Sequence, residues 1–361
     1  MATKANRSEV GQGVCVARVE ESHASAGFGW IRARLGRLAR CTCPLAAVVA
    51  TLCLVVATSA NLGGCSGGDN AASSSQARSG PRRVFASHPV LANIARTLAL
   101  DAVEVVEPAS ISTGTELGDP AYWRPTGDEI RAVQACDLIL MNGAGYERWA
   151  EQAALPSSRV FDTTRSLRAK LIEEAGETHS HGPEGEHAHA GTAFTTWLSS
   201  EFARAQAKAV ADALVRSGAV TSDAVAPRLA SVERGLDEYA ATLAEVRTAQ
   251  PKWLASHPVY QYLAQDAGLS IDSLHWEPGA MPAETEWTKF RLVRLSHPKP
   301  TAWMLWEGEP GDEIRARLRA EGVEVVVFAP GGNGQDSAAF PADLVASARA
   351  VRDAVRPVAA P

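Results

Sequence analysis

The stretch SDAVAPRLASVERGLDEYAATLAEVRTAQ, residues 222–250, decides the fold. Val225, Leu229, Val232, Leu236, Tyr239, Leu243 and Val246 recur in alternating steps of four and three, the spacing of a single apolar stripe on an α-helix. Pro227 is expected in the first turn, where its missing N–H is harmless, and Pro251 marks the stop. At about 1.5 Å per residue such a helix is on the order of 35 Å long, enough to run along two globular lobes.

Working outward, both flanks alternate short strand-like and helical runs. Before the long helix, 84–87, 103–107 and 137–142 read as strands, and 91–100, 126–135 and 199–217 as helices. After it, 252–256, 302–306 and 323–328 read as strands, and 260–267, 286–296, 311–321 and 337–355 as helices. Strands separated by helices of this length imply parallel βα units. The expected architecture is α/β: two lobes of parallel-sheet βα units joined by one long helix, with a ligand cleft between the lobes. The lobes are 83–221 and 251–358, the helix 222–250. Open parallel sheets bind ligands at the carboxyl ends of their strands.

The 361 residues suit this count, at roughly 150 residues per domain, once a leader is set aside. Arg32, Arg34, Arg37 and Arg40 precede an apolar run over 44–57 that ends in Leu62-Gly63-Gly64-Cys65. A basic segment, a short apolar core and small residues are the parts of a secretory signal. The last four residues look like a lipobox, so 1–64 is expected to be a signal region and Cys65 the lipidated residue. Residues 65–82, rich in Gly and Ser, form a flexible tether. Five of the six cysteines lie at or before position 65, which leaves the body only Cys136 and no disulfide scaffold. The leader holds seven Lys/Arg against three Asp/Glu, so the remaining 28 basic and 38 acidic residues give the body a charge of −10. That balance argues against nucleic acid as a partner and favours cations.

Two features carry candidate chemistry. Ala86-Ser87-His88-Pro89-Val90 recurs unchanged as Ala255-Ser256-His257-Pro258-Val259, each copy after the first strand of its lobe. Strand ends of this kind face the cleft, so His88 and His257 are candidates to meet across it, although two structural turns would also explain the repeat. A third Ser-His-Pro, at His297, reads as structural. Within 178–191, His179, His181, His187 and His189 alternate with Glu184 and Glu186 nearby, a composition suited to weak capture of Zn²⁺ by a mobile loop. No His-Glu-x-x-His occurs, and the single Gly-x-Ser-x-Gly match, Gly64-Cys65-Ser66-Gly67-Gly68, lies at the leader–tether junction and not at a strand-to-helix elbow, so an enzyme is not expected.

Several motifs together resemble the substrate-binding lipoproteins of zinc and manganese ABC transporters. They are Asp119-Pro120-Ala121-Tyr122-Trp123-Arg124-Pro125, the run from Asp137 through Asn142-Gly143 to Trp149, Thr195-Thr196-Trp197-Leu198, and Ser256-His257-Pro258 before Tyr262. Glu277-Pro278 and Trp306-Glu307 fit two further acidic positions. The resemblance implies two α/β lobes, a long connecting helix and a metal cargo, Zn²⁺ or alternatively Mn²⁺. It also implies an ABC permease with its ATPase as partner, a monomer, and a place outside the cytoplasm, lipid-anchored to a bacterial membrane.

The departures fall on the metal site. Ala121, Thr195 with Thr196, and Ala329 stand where the family usually has ligands, and only His257 matches. Two explanations follow. One rebuilds the site from His257 and His88 with a carboxylate from Glu116, Asp119, Glu277 or Glu307. The other abandons the metal, leaving an adhesin or a binder of another solute on the same fold. Tyr122, Trp123, Trp197 and Trp306 are expected in the core more than on the cleft wall.

Overall fold

The computed structural model describes residues 80–111, 120–174, 178–180, 186–188, 191–247, 252–276, 280–330 and 340–356. The expected signal region with Cys65, most of the tether, Glu116, Asp119, Glu277, His181 and His189 lie outside them. All of the described residues fall within one compact unit.

The N-terminal lobe runs β1 (Arg82–Ala86), α1 (Pro89–Ala99), β2 (Val103–Val106), α2 (Pro108–Ile111), α3 (Gly127–Gln134), β3 (Leu138–Met141) and β4 (Val160–Asp162). Short pairs follow: β5 (Glu173–Glu174), β6 (Thr178–Ser180), β7 (Glu186–Ala188) and β8 (Gly191–Thr192); α4 (Ser200–Arg216) then leads to α5 (Ser222–Arg247). The C-terminal lobe is β9 (Lys252–Ala255), α6 (Gln261–Ala267), β10 (Ser270–Ser273), α7 (Glu284–Arg294), β11 (Ala302–Trp306), α8 (Asp312–Ala320), β12 (Val323–Val327) and α9 (Ala342–Val355).

The two four-stranded sheets have the same order, β2-β1-β3-β4 and β10-β9-β11-β12, and every pair in them is parallel. Parallel strands are covered on both faces, which is why Leu138–Met141 is buried at all four positions. Val84, Ala86, Leu138 and Leu140 join one core that continues through α4 and α5 into Trp253, Ala255 and Leu305. Phe85, Ile139 and Met141 face the opposite way, against Trp123 and Trp149. The matching outer layer of the second lobe packs Trp276, Trp287, Phe290 and Trp306.

The stripe on α5 is buried as its spacing requires, with Leu229 only partly so. The helix packs against α1 and α4 of one lobe and α6 and α9 of the other. One expectation fails. With the helix starting at Ser222, Pro227 is its sixth residue and sits in the second turn, so one backbone hydrogen bond is forgone there. Thr221 holds the start, its Oγ1 accepting from the Ala224 N–H at 3.3 Å.

The His-rich stretch also differs from a plain loop. Thr178–Ser180 and Glu186–Ala188 pair antiparallel, with His179 opposite His187 in register. Trp123, Trp197 and Trp306 are buried as expected, whereas Tyr122 is exposed. Cys136 is fully buried, and burial pushes its thiol up to about 11, so it is an inert core residue. No helix among the described residues is long and apolar enough to cross a membrane.

Candidate metal site at the strand ends of the C-terminal lobe

Register sets the site. Ser273 of β10 and Leu305 of β11 both pair with Ala255 of β9. Two residues beyond this line lie His275, His257 and Glu307, one on each of three adjacent strand ends. The chain stays bonded past the strands: Ser256 N–H donates to Leu305 O at 3.0 Å, Leu274 N–H to Ala255 O at 2.8 Å, and Trp276 N–H to Ser256 O at 2.9 Å.

There His257 Nδ1 stands 3.0 Å from Glu307 Oε1. Their side chains are 17% and 24% exposed, so the pair is accessible yet partly desolvated. A carboxylate on Nδ1 favours the tautomer with the proton there and leaves Nε2 as the lone-pair donor. The His275 ring lies beyond, its centroid 6.3 Å from that of His257. His275 was not singled out from sequence, because Ser270-Ile271-Asp272-Ser273 has one apolar residue and gives no strand signal.

The first copy of the pentapeptide has another fate. His88 is 1% exposed, stacked on Trp197 at 4.1 Å between centroids and edge-on to Tyr146 at 5.2 Å. Its Nδ1 caps α1 by accepting from the Leu91 N–H at 3.4 Å. Burial is the main cause holding the ring down to about 3, against a hydrogen bond with Asn142 that raises it. The expected meeting of His88 with His257 is therefore corrected: His88 is a neutral core group under two aromatic rings.

The usual ligand positions are committed elsewhere. Ala121 is buried, and Thr195 Oγ1 donates to Val259 O at 2.5 Å, bracing the lobes beside the His257 turn. Thr196 Oγ1 donates to Asn142 Oδ1 at 3.0 Å. Trp197 Nε1 donates to Pro330 O at 2.5 Å across the same seam, and within the C-terminal lobe Tyr260 Oη donates to Phe328 O at 2.8 Å. His297 is structural as expected, its ring nitrogens 3.0 Å from Val293 O and Trp253 O. A cavity of about 470 Å³ lined by Thr97, Val232 and Phe340 shares no residue with this cluster. Among the described residues, no three His, Cys, Asp or Glu side chains are already gathered around a point that could hold an ion. What they offer is one oriented imidazole, a carboxylate and a second imidazole nearby.

A two-lobed α/β protein with its donors at parallel strand ends is the class this fold and site define. Residues 84–296 match the family of the zinc-uptake complex component A, periplasmic, and the chain belongs to that family. Members of that family are solute-binding proteins, not enzymes. The iron-binding protein YfeA of Yersinia pestis is 28% identical over 190 residues, 52% of this chain and 57% of that protein. The chain thus spans little more than half of that relative. Among solved structures, the metal-dependent lipoprotein YcdH of Bacillus subtilis superposes with a TM-score of 0.59 at 16% identity, covering 75% of this chain and 98% of that one. The Zn(II)-bound ZnuA-like domain of Streptococcus pneumoniae AdcA gives 0.59 at 16% identity, covering 76% and 98%. Both show the shared fold.

Proposed function

We propose that the protein is an extracytoplasmic, lipid-anchored binding protein that captures a divalent transition metal, zinc before manganese, and hands it to an ABC permease with its ATPase. The observation that carries this reading is the His257–Glu307 pair at the strand ends, in the one position where the family's usual histidine is kept. Capture exchanges ion-bound water for imidazole, and any protonated histidine gives up its proton. Glu116 and Glu277 remain candidates for a further carboxylate, and His179, His181, His187 and His189 for a first, weak hold on the ion. Cys65 is the proposed anchor point, and the working form a monomer.

Ala121, Thr195 and Thr196 favour a second reading, in which the same fold has lost its metal and serves as an adhesin or carries another solute. Calorimetric titration of the purified chain with Zn²⁺ and with Mn²⁺, with and without residues 178–191, separates the two. One zinc per chain that survives the deletion supports the proposal. No uptake of Zn²⁺ or Mn²⁺ in either form overturns it in favour of the second reading.

A further inference from the structure

We propose that His275 is a second zinc-binding imidazole, so that the C-terminal lobe alone supplies a half-site of His257 and His275, with Glu307 orienting His257. This rests on the zinc reading above and deepens it. The argument begins with topology. β10 and β11 flank β9, and both pair with Ala255, so His275 and Glu307 stand on either side of His257 at one level. Glu307 is engaged by Nδ1 of His257, so the lone pair offered to an ion is that of Nε2. His275 is half-buried with its Nδ1 enclosed by the protein, and the proposal assigns the ion to its other ring nitrogen, Nε2.

Distance decides whether the rings can share an ion. With Zn–N bonds of about 2.0–2.1 Å and a tetrahedral angle, two imidazole centroids on one zinc lie roughly 5 Å apart. The observed 6.3 Å exceeds this by about 1 Å, within the reach of side-chain rotation from two adjacent loops. Zinc takes this mixture of imidazole and oxygen donors readily, and water completes the shell where the protein does not. Glu307 then acts as a positioning residue: it holds the ring and raises its basicity without touching the ion.

The test uses the full chain, with Zn²⁺ as probe, and reads affinity by competition with a chelator and coordination by X-ray absorption at the zinc edge. The inference expects two imidazoles around zinc in the parent chain, one in His275→Ala, and about a tenfold to hundredfold loss of affinity, with apo thermal stability nearly unchanged. His275→Gln, which keeps bulk, is expected to behave like His275→Ala. If either variant binds zinc as tightly as the parent with the same imidazole count, the inference is overturned while the zinc reading stands. If the parent binds no zinc, the zinc reading itself fails.

Discussion

The two lobes carry the same five residues at the same place in sheets of the same strand order, yet one copy is sealed and the other open. In the N-terminal lobe Ala86 pairs with Leu140, and two residues on stand His88 and Asn142. In the C-terminal lobe Ala255 pairs with Leu305, and two residues on stand His257 and Glu307. The neighbour is an amide in the first case and a carboxylate in the second. The covering differs as well, since Trp197 and Tyr146 close over His88, whereas His257 and Glu307 keep access to solvent. Helix geometry separates them further: Pro89 opens α1 directly, while α6 begins only at Gln261. The same histidine becomes a buried helix cap or an accessible partner of a carboxylate according to what its sheet neighbours bring.

The strongest way to break this comparison is to remove each ring in turn. His257→Ala should lower zinc affinity at least about a hundredfold while leaving apo stability almost intact. His88→Ala should leave zinc affinity within a few-fold but cost about 3 kcal/mol in urea unfolding, the scale for deleting a buried ring. Reversed outcomes would sink the distinction.

Next in size is Glu307→Gln. An amide still reaches His257 Nδ1 but does not fix the same basicity, so zinc affinity should fall about tenfold or more, with less change in thermal stability. No change in affinity would remove Glu307 from the site.

The buried copy should also be visible in the pH dependence of stability. Burial holds His88 at about 3 against an ordinary 6.5, so the unfolded chain takes a proton that the folded one refuses. Its contribution is complete above pH 6.5 and is lost as pH falls toward 3. Glu147 works in the opposite direction. Burial raises it to about 7 against an ordinary 4.5, despite a hydrogen bond to Ser87 and those its carboxylate accepts from Asn142 N–H at 2.5 Å and Gly143 N–H at 3.0 Å. Its contribution is complete below pH 4.5 and is lost as pH rises to 7. The two slopes, each up to about 1.4 kcal/mol per pH unit, oppose one another between 4.5 and 6.5. Denaturation series should therefore be flat in that window. Glu147→Gln should make stability rise with pH through it, and His88→Asn should make it fall. Parallel curves for both variants would count against this origin.

The smallest expected effect concerns the prolines. Pro89→Ala should lower stability by roughly 0.4–1 kcal/mol, because Pro89 pre-orders the first turn of α1, and leave zinc affinity alone. Pro258→Ala should instead weaken zinc binding a few-fold by loosening the turn that holds His257. Equal effects on affinity would erase the contrast between the two turns.

Much of the architecture was legible because it rests on periodicity. The stripe from Val225 to Val246 gave α5, and runs such as Leu138–Met141 and Ala302–Trp306 gave central strands. The outer strands β4 and β10 were not legible, since Val160–Asp162 is short and Ser270–Ser273 is mostly polar. That second miss hid His275, whose place beside His257 comes from the pairing of β10 with β9 and not from any local pattern. His257 and Glu307 were visible as candidates, but their contact comes from strand order, which no spacing between positions 257 and 307 encodes. His88 was misjudged for a related reason: burial by Trp197, distant in sequence, cancels the meaning of an identical pentapeptide.

The central claim, that the open copy holds the cargo, is tested most directly by anomalous diffraction at the zinc edge from crystals of the zinc-loaded protein. The account predicts a peak about 2.1 Å from His257 Nε2, with Glu307 still on Nδ1 and no zinc beside His88. A peak at His88, or only within residues 178–191, would contradict it.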